Sequence, residues 1–125
     1  MAEAPEILLV EDEPALRELM KVALGSGYRF SETGDVAEAL ELVRSHVPDI
    51  VLLDLMLPGG SGLDVLRAVR AEPALAGVRV IIVSAWQSAE DRRVALELGA
   101  AGFLGKPFTV DELWLAVRGP AESRA

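Results

Sequence analysis

Four apolar runs in this chain each end at a group able to handle phosphate or a metal ion. Ile7-Leu8-Leu9-Val10 leads into Glu11-Asp12-Glu13, and Ile50-Val51-Leu52-Leu53 leads into Asp54. Val80-Ile81-Ile82-Val83 stops at Ser84, and Gly102-Phe103-Leu104 leads through Gly105 to Lys106-Pro107. Carboxylates packed together repel one another until a cation or a proton intervenes. Mg²⁺ suits such oxygens, because it takes one or two carboxylates, keeps several waters and accepts phosphate oxygens. An anion seated on Asp54 would meet a metal, the Ser84 hydroxyl and the Lys106 ammonium from three sides. That is the equipment for phosphoryl transfer to a carboxylate nucleophile. Singly, each group has a plainer reading. The acids at 11–13 can complement a helix N-terminus, Asp54 and Ser84 can be solvated loop residues, and Lys106 a surface cation. Jointly, four strand ends carrying matched chemistry are hard to reach by accident.

The elements that must position these groups follow from the hydrophobic pattern. Unbroken apolar runs of four predict strands buried on both faces, as in a parallel sheet. The more polar Tyr28–Thr33 and the short Gly102–Leu104 predict edge strands. Between the strands, apolar residues recur at helical spacing. Pro14 suits a first helical turn, with Leu16, Leu19, Met20, Ala23 and Leu24 on one face and Gly25 as a stop. Asp35 with Glu38 predicts a capping box ahead of Val36, Ala39, Leu40 and Val43. Ser61 and Asp64 open a helix with Leu63, Leu66 and Val69 inward. Ser88 with Asp91 opens the next, carrying Val94, Ala95 and Leu98 before Gly99. Thr109 with Glu112 caps the last, with Val110, Leu113, Trp114 and Val117 inward and Gly119-Pro120 at its end. Strands alternating with helices demand right-handed crossovers and helices on both faces. The expected fold is α/β: a flavodoxin-like, doubly wound, five-stranded parallel sheet of order 2-1-3-4-5 with five helices. Its switch point falls between the two strands that end in acid, where such sheets bind ligands.

Composition narrows the function. The 125 residues suffice for one domain with its own core, 51% hydrophobic and 26% charged. No run is long enough to span a bilayer and no signal-peptide pattern opens the chain. The absence of cysteine is compatible with the cytosol, where this chain is expected. A net charge of −8 argues against direct binding to nucleic acid or an anionic membrane.

From Glu6 to Val117 the chain resembles a response-regulator receiver domain, the phosphoacceptor module of two-component signalling. The resemblance rests on Leu8-Leu9-Val10-Glu11-Asp12-Glu13, on Leu52-Leu53-Asp54-Leu55-Met56-Leu57-Pro58-Gly59, on Val83-Ser84-Ala85 and on Lys106-Pro107-Phe108. It implies a single receiver domain over residues 1–125 and a switch rather than a turnover enzyme. The five residues after Pro120 carry no effector domain, so the chain is expected to be either a stand-alone receiver or a piece of a longer regulator. Asp54 would take a phosphoryl group from a sensor histidine kinase, from a phosphotransfer protein or from a small donor such as acetyl phosphate. Asp12, Glu11, Asp54 and the Met56 carbonyl would hold Mg²⁺, and Ser84 and Lys106 would bind the phosphoryl oxygens. The Lys106–Pro107 bond would be cis. Ser84 and Phe103 would form the switch, read out by a downstream effector domain or protein through the surface from Ser88 to the last helix.

Departures from the family pattern sharpen the expectations. Glu11 stands where Asp is commoner. Gly60-Ser61 replaces a frequent Met-Asp pair and predicts a more mobile loop. Ala100-Ala101-Gly102 lacks an acid used in dimer salt bridges by one subfamily, which weakens a phosphorylation-dependent homodimer. Met56 and Trp86 occupy the positions that tune loss of the phosphoryl group, and neither can orient a water, so a phosphorylated state of many minutes or longer is expected. His46 is expected only to complement a helix C-terminus. Two other classes remain as alternatives. A haloacid-dehalogenase-like phosphatase would want a general acid where Met56 stands, and a scaffold without chemistry would lack parts of the site.

Overall fold

The computed structural model describes residues 4–85 and 88–118. Strands β1 (Glu6–Val10), β2 (Arg29–Thr33), β3 (Ile50–Leu53), β4 (Arg79–Ser84) and β5 (Gly102–Gly105) form one parallel sheet. Its order is β2-β1-β3-β4-β5. Helices α1 (Pro14–Leu24), α2 (Val36–His46), α3 (Gly62–Ala71), α4 (Ala89–Glu97) and α5 (Val110–Arg118) connect the strands or follow them. The doubly wound sheet and its 2-1-3-4-5 order are as the alternation predicts.

Because strand side chains alternate between faces, each central strand feeds two cores. Leu8, Val10, Val51, Leu53, Val80 and Ile82 pack with α2, α3 and α4 through Ala39, Val43, Leu66, Val69 and Ala95. Ile7, Leu9, Leu52, Ile81 and Val83 pack with α1 and α5 through Met20, Leu24, Leu113 and Val117. Strands buried on both sides have no solvent face to make polar, which is why their sequences run apolar without a break. The edge strand β2 instead exposes Arg29 and Glu32.

The helix starts carry the signals that the sequence offers, with one difference. Thr109 and Glu112 form a complete capping box: Thr109 N–H donates to Glu112 Oε1 at 2.8 Å, and Glu112 N–H to Thr109 Oγ1 at 3.1 Å. Ser61 and Ser88 accept from the backbone N–H of Leu63 and Asp91, each at 3.1 Å. Asp35 accepts from Glu38 N–H at 2.9 Å, but the box stays half-made. The Glu38 carboxylate bonds the Thr33 hydroxyl instead, and Asp35 N–H donates to Thr33 Oγ1 at 3.1 Å. A side-chain hydroxyl at the end of β2 outcompetes the reciprocal bond.

Two residues expected inward face solvent. Leu19 is 55% exposed, because the buried stripe of α1 centres on Met20 and Leu24 and leaves position 19 at its margin. Val110 is 51% exposed, because it opens α5 and the core-facing pair is Leu113 and Val117. Trp114 is half-buried and donates Nε1–H to the Ala23 carbonyl at 3.1 Å.

Two small elements had no sequence signal. A 3₁₀ turn at Pro73–Leu75 buries Leu75. After Asp54 the chain folds into an antiparallel ladder, with Met56 opposite Ser61 and Leu57 opposite Gly60. Gly62 lets this loop close, since a Cβ there would stand 2.3 Å from the Asp54 carbonyl oxygen.

Candidate functional site

Register brings the predicted groups to one edge. Val10 pairs with Leu53 and Ser84 with Gly105. The pairing runs one residue further: Asp54 N–H donates to the Val10 carbonyl, Glu11 N–H to the Thr33 carbonyl and Lys106 N–H to the Ser84 carbonyl, each at 2.9 Å. Glu11, Asp54 and Lys106 therefore leave the sheet at its carboxyl edge, where the backbone ladder fixes their Cα positions.

Their side chains converge. Lys106 Nζ donates to Asp54 Oδ2 at 2.8 Å and to Glu11 Oε1 at 2.7 Å. The second oxygen of each carboxylate takes a backbone N–H, Met56 to Asp54 Oδ1 at 3.0 Å and Glu13 to Glu11 Oε2 at 3.1 Å. Asp12 joins them, since Glu11, Asp12 and Asp54 each place an oxygen within 4.8 Å of the others. Glu11 and Asp54 are buried, at 2% and 5% exposure, whereas Asp12 is open to solvent.

This crowding sets the electrostatics. Burial pushes the Glu11 carboxyl above the ordinary range and the Asp54 charge adds to it. Hydrogen bonds from Lys106 and Glu13 N–H oppose the rise without cancelling it. For Lys106, burial works against the ammonium, but the hydrogen bonds to Asp54 and Glu11 outweigh it and its pKa is raised. The cation is held by two carboxylates, and Glu11 takes up a proton more readily than a free glutamate. Hard oxygens gathered at this distance, one of them in contact with water, fit Mg²⁺.

The other predicted residues divide. Ser84 is wholly buried at the end of β4. Met56 is tied to the site by its backbone, while its side chain is 63% exposed. Phe103 lies opposite Ile82 in the ladder, two positions before Gly105. It is half-buried, and the Arg92 guanidinium sits 5.0 Å above its ring. Trp86 lies outside the described residues. The Lys106–Pro107 bond is cis, as the resemblance implies. His46 ends α2 and places Nδ1 2.6 Å from Glu6 Oε2, at the opposite end of β1.

The family described as "Response regulator receiver domain" matches residues 7–118. The chain belongs to that family. This receiver domain is 42% identical over 113 residues to the DNA-binding response regulator MtrA of Mycolicibacterium smegmatis, covering 90% of this chain and 48% of that protein. It is 38% identical over 113 residues to the KDP operon transcriptional regulatory protein KdpE of Escherichia coli, covering 90% of this chain and 49% of that protein. It thus spans about half the length of these curated relatives. Among solved structures it is similar to the non-phosphorylated HemR receiver domain from Leptospira biflexa, with a TM-score of 0.83, 35% identity and 91% of each chain covered. Among the described residues of the receiver, no helix is long and apolar enough to cross a membrane.

Sequence reasoning missed one contributor. Arg17, on the first turn and a half of α1, donates Nη1–H to the Glu11 carbonyl at 2.5 Å and Nε–H to Glu32 Oε1 at 2.9 Å. No sequence signal separates it from an ordinary exposed arginine on an amphipathic helix.

Proposed function

We propose that this receiver domain is a phosphorylation-dependent switch whose acceptor is Asp54. The observation that carries the reading is the shared ammonium: Lys106 Nζ lies within hydrogen-bond reach of both Asp54 and Glu11, on a buried edge that also collects Asp12. An Asp54 carboxylate oxygen attacks the donor phosphorus. A phosphorus–oxygen bond forms as the phosphorus–nitrogen bond of a phosphohistidine, or the phosphorus–oxygen bond of an acyl phosphate, breaks. The departing group keeps the bonding pair: an acyl phosphate releases a carboxylate, and a phosphohistidine protonated on its other ring nitrogen releases a neutral imidazole. Lys106 turns from carboxylate to phosphoryl oxygen, and the Ser84 hydroxyl donates to a second one. Glu11, Asp12, Asp54 and the Met56 carbonyl are the residues that would hold Mg²⁺. When bound, the ion supplies positive charge against the phosphoryl oxygens.

Phosphorylation adds about −1.5 to −2 of charge at a crevice built for it. Movement of Ser84 toward the new oxygens would free space that Phe103 can take, changing the face formed by α4, β5 and α5. The donor is a sensor histidine kinase or phosphotransfer protein. The receiver of the signal is an effector domain or protein, and any contact with nucleic acid is made there rather than by this acidic domain.

The test is incubation with Mg²⁺ and acetyl phosphate or beryllofluoride, followed by intact mass and peptide mapping. Stoichiometric, Mg²⁺-dependent labelling that disappears in Asp54→Asn is expected. Repeated turnover of a phosphomonoester would replace this reading with a phosphatase, and no response to either reagent would replace it with a scaffold.

A further inference from the structure

We infer that Arg17 is a positioning residue for the cation-binding carboxylates, holding the Glu11–Asp12 turn by its backbone from α1. The inference rests on the reading of Glu11, Asp12 and Asp54 as a Mg²⁺ site. Two of those three carboxylates sit on the short turn between β1 and α1, so their separation depends on backbone angles that no strand pairing beyond Glu11 sets. Glu11 N–H is held by the Thr33 carbonyl at 2.9 Å. Its carbonyl is held by Arg17 Nη1 at 2.5 Å. That carbonyl belongs to the peptide plane joining Glu11 to Asp12, so fixing it fixes where the Asp12 Cα lies and where its side chain starts.

The guanidinium is anchored in its turn. Nε donates to Glu32 Oε1 at 2.9 Å, and the other Glu32 oxygen takes Lys21 Nζ at 2.6 Å. The planar fork of an arginine reaches both acceptors at once, whereas an ammonium is a single point charge. With the side chain only 19% exposed, this is more than a loose surface pair. Gly34 braces the same turn from β2's end, since a Cβ there would stand 2.9 Å from the Asp12 Cα. A continuous chain of contacts thus runs from Glu32 through Arg17 and Glu11 to Lys106 and Asp54.

Charge and position predict opposite signs, and this makes the inference testable. A cation beside a Mg²⁺ site repels the metal, so loss of Arg17 by charge alone would tighten binding. Loss of a group that holds the ligands in place weakens it, by roughly tenfold for partners outside the coordination shell. The experiment measures Mg²⁺ affinity of the full chain by calorimetry. The ¹⁵N shift of the Glu13 amide in metal-free protein serves as a second readout, since that N–H bonds Glu11 Oε2.

Arg17→Ala is expected to weaken Mg²⁺ roughly tenfold and to move the Glu13 amide, with Arg17→Lys restoring part of both. Arg67→Ala, in an exposed pair with Asp64 on α3, removes the same charge without touching Glu32 or Glu11 and should change affinity by no more than about twofold. Should Arg17→Ala fail to fold, Glu32→Gln loosens the anchor at constant shape. Its lost negative charge weakens Mg²⁺ by itself, so there the Glu13 amide shift in metal-free protein decides, a shift supporting the positioning role and an unmoved amide overturning it. Unchanged or tighter Mg²⁺ binding in Arg17→Ala overturns the positioning role. A wild-type chain that binds no Mg²⁺ sinks the underlying metal site instead, and the Glu13 amide shift then decides on Arg17 by itself.

Discussion

At the scale of single residues, the site trades stability for readiness. Glu11 is buried, and folding raises its pKa, with burial as the leading cause. A carboxyl with a raised folded pKa contributes stability that is complete below its unfolded pKa and lost as pH rises through the folded value. At neutral pH its ionised form is therefore a cost. Glu11→Gln is expected to raise the melting temperature of the metal-free protein at pH 7 while weakening Mg²⁺ by about tenfold or more, and a thermal melt paired with calorimetry checks both. Lys106 also has a raised pKa, so its contribution is present at neutral pH and lost as alkaline pH passes through the folded value. Met56 bears on kinetics. Its exposed thioether cannot orient a water, so the phosphoryl group on Asp54 should persist for many minutes. Met56→Asn, which supplies an amide able to hold a water, should shorten that lifetime several-fold in a mass-spectrometric time course.

At the scale of elements, burial decides which side chains matter. α5 looks apolar at Val110, Leu113, Trp114 and Val117, yet only Leu113 and Val117 are fully buried. Leu113→Ala is expected to cost about 2–5 kcal/mol in denaturant unfolding, through lost transfer energy and the cavity it leaves. Val110→Ser should stay within about 1 kcal/mol of wild type, because its side chain is already half in water. Equal losses in the two variants would mean that the face of α5 has been misassigned. The caps tell the same story in polar terms. Thr109–Glu112 could be read as a box from four residues of sequence, but Asp35–Glu38 could not, because Thr33 competes for the Glu38 carboxylate.

At the scale of the whole molecule, a net charge of −8 and a cluster of carboxylates gathered at one sheet edge predict a fold that responds to divalent ions. A ligand that binds only the native state stabilises by mass action, by about 2.7 kcal/mol at a hundredfold excess over its Kd. Saturating Mg²⁺ should therefore raise the melting temperature well beyond what NaCl of equal ionic strength achieves. Asp12→Asn should remove most of the difference. A shift that matches NaCl, or survives Asp12→Asn, would point to general screening of the acidic surface rather than to this edge.

By itself the sequence determined the architecture and the membership of the edge. Runs such as Leu8–Val10 and Val51–Leu53 announce double burial, and a one-residue slip would misplace every side chain, so the acids that end them land together. Only the tertiary structure decided who bonds whom. Glu11 and Lys106 meet across 95 positions of chain, and Arg17 reaches Glu11 through a helix whose rotation no local pattern specifies. Periodicity is written in neighbouring residues and survives as a local signal. A hydrogen bond between distant elements depends on how they pack, and for Leu19, Val110 and Glu38 packing overruled the local expectation.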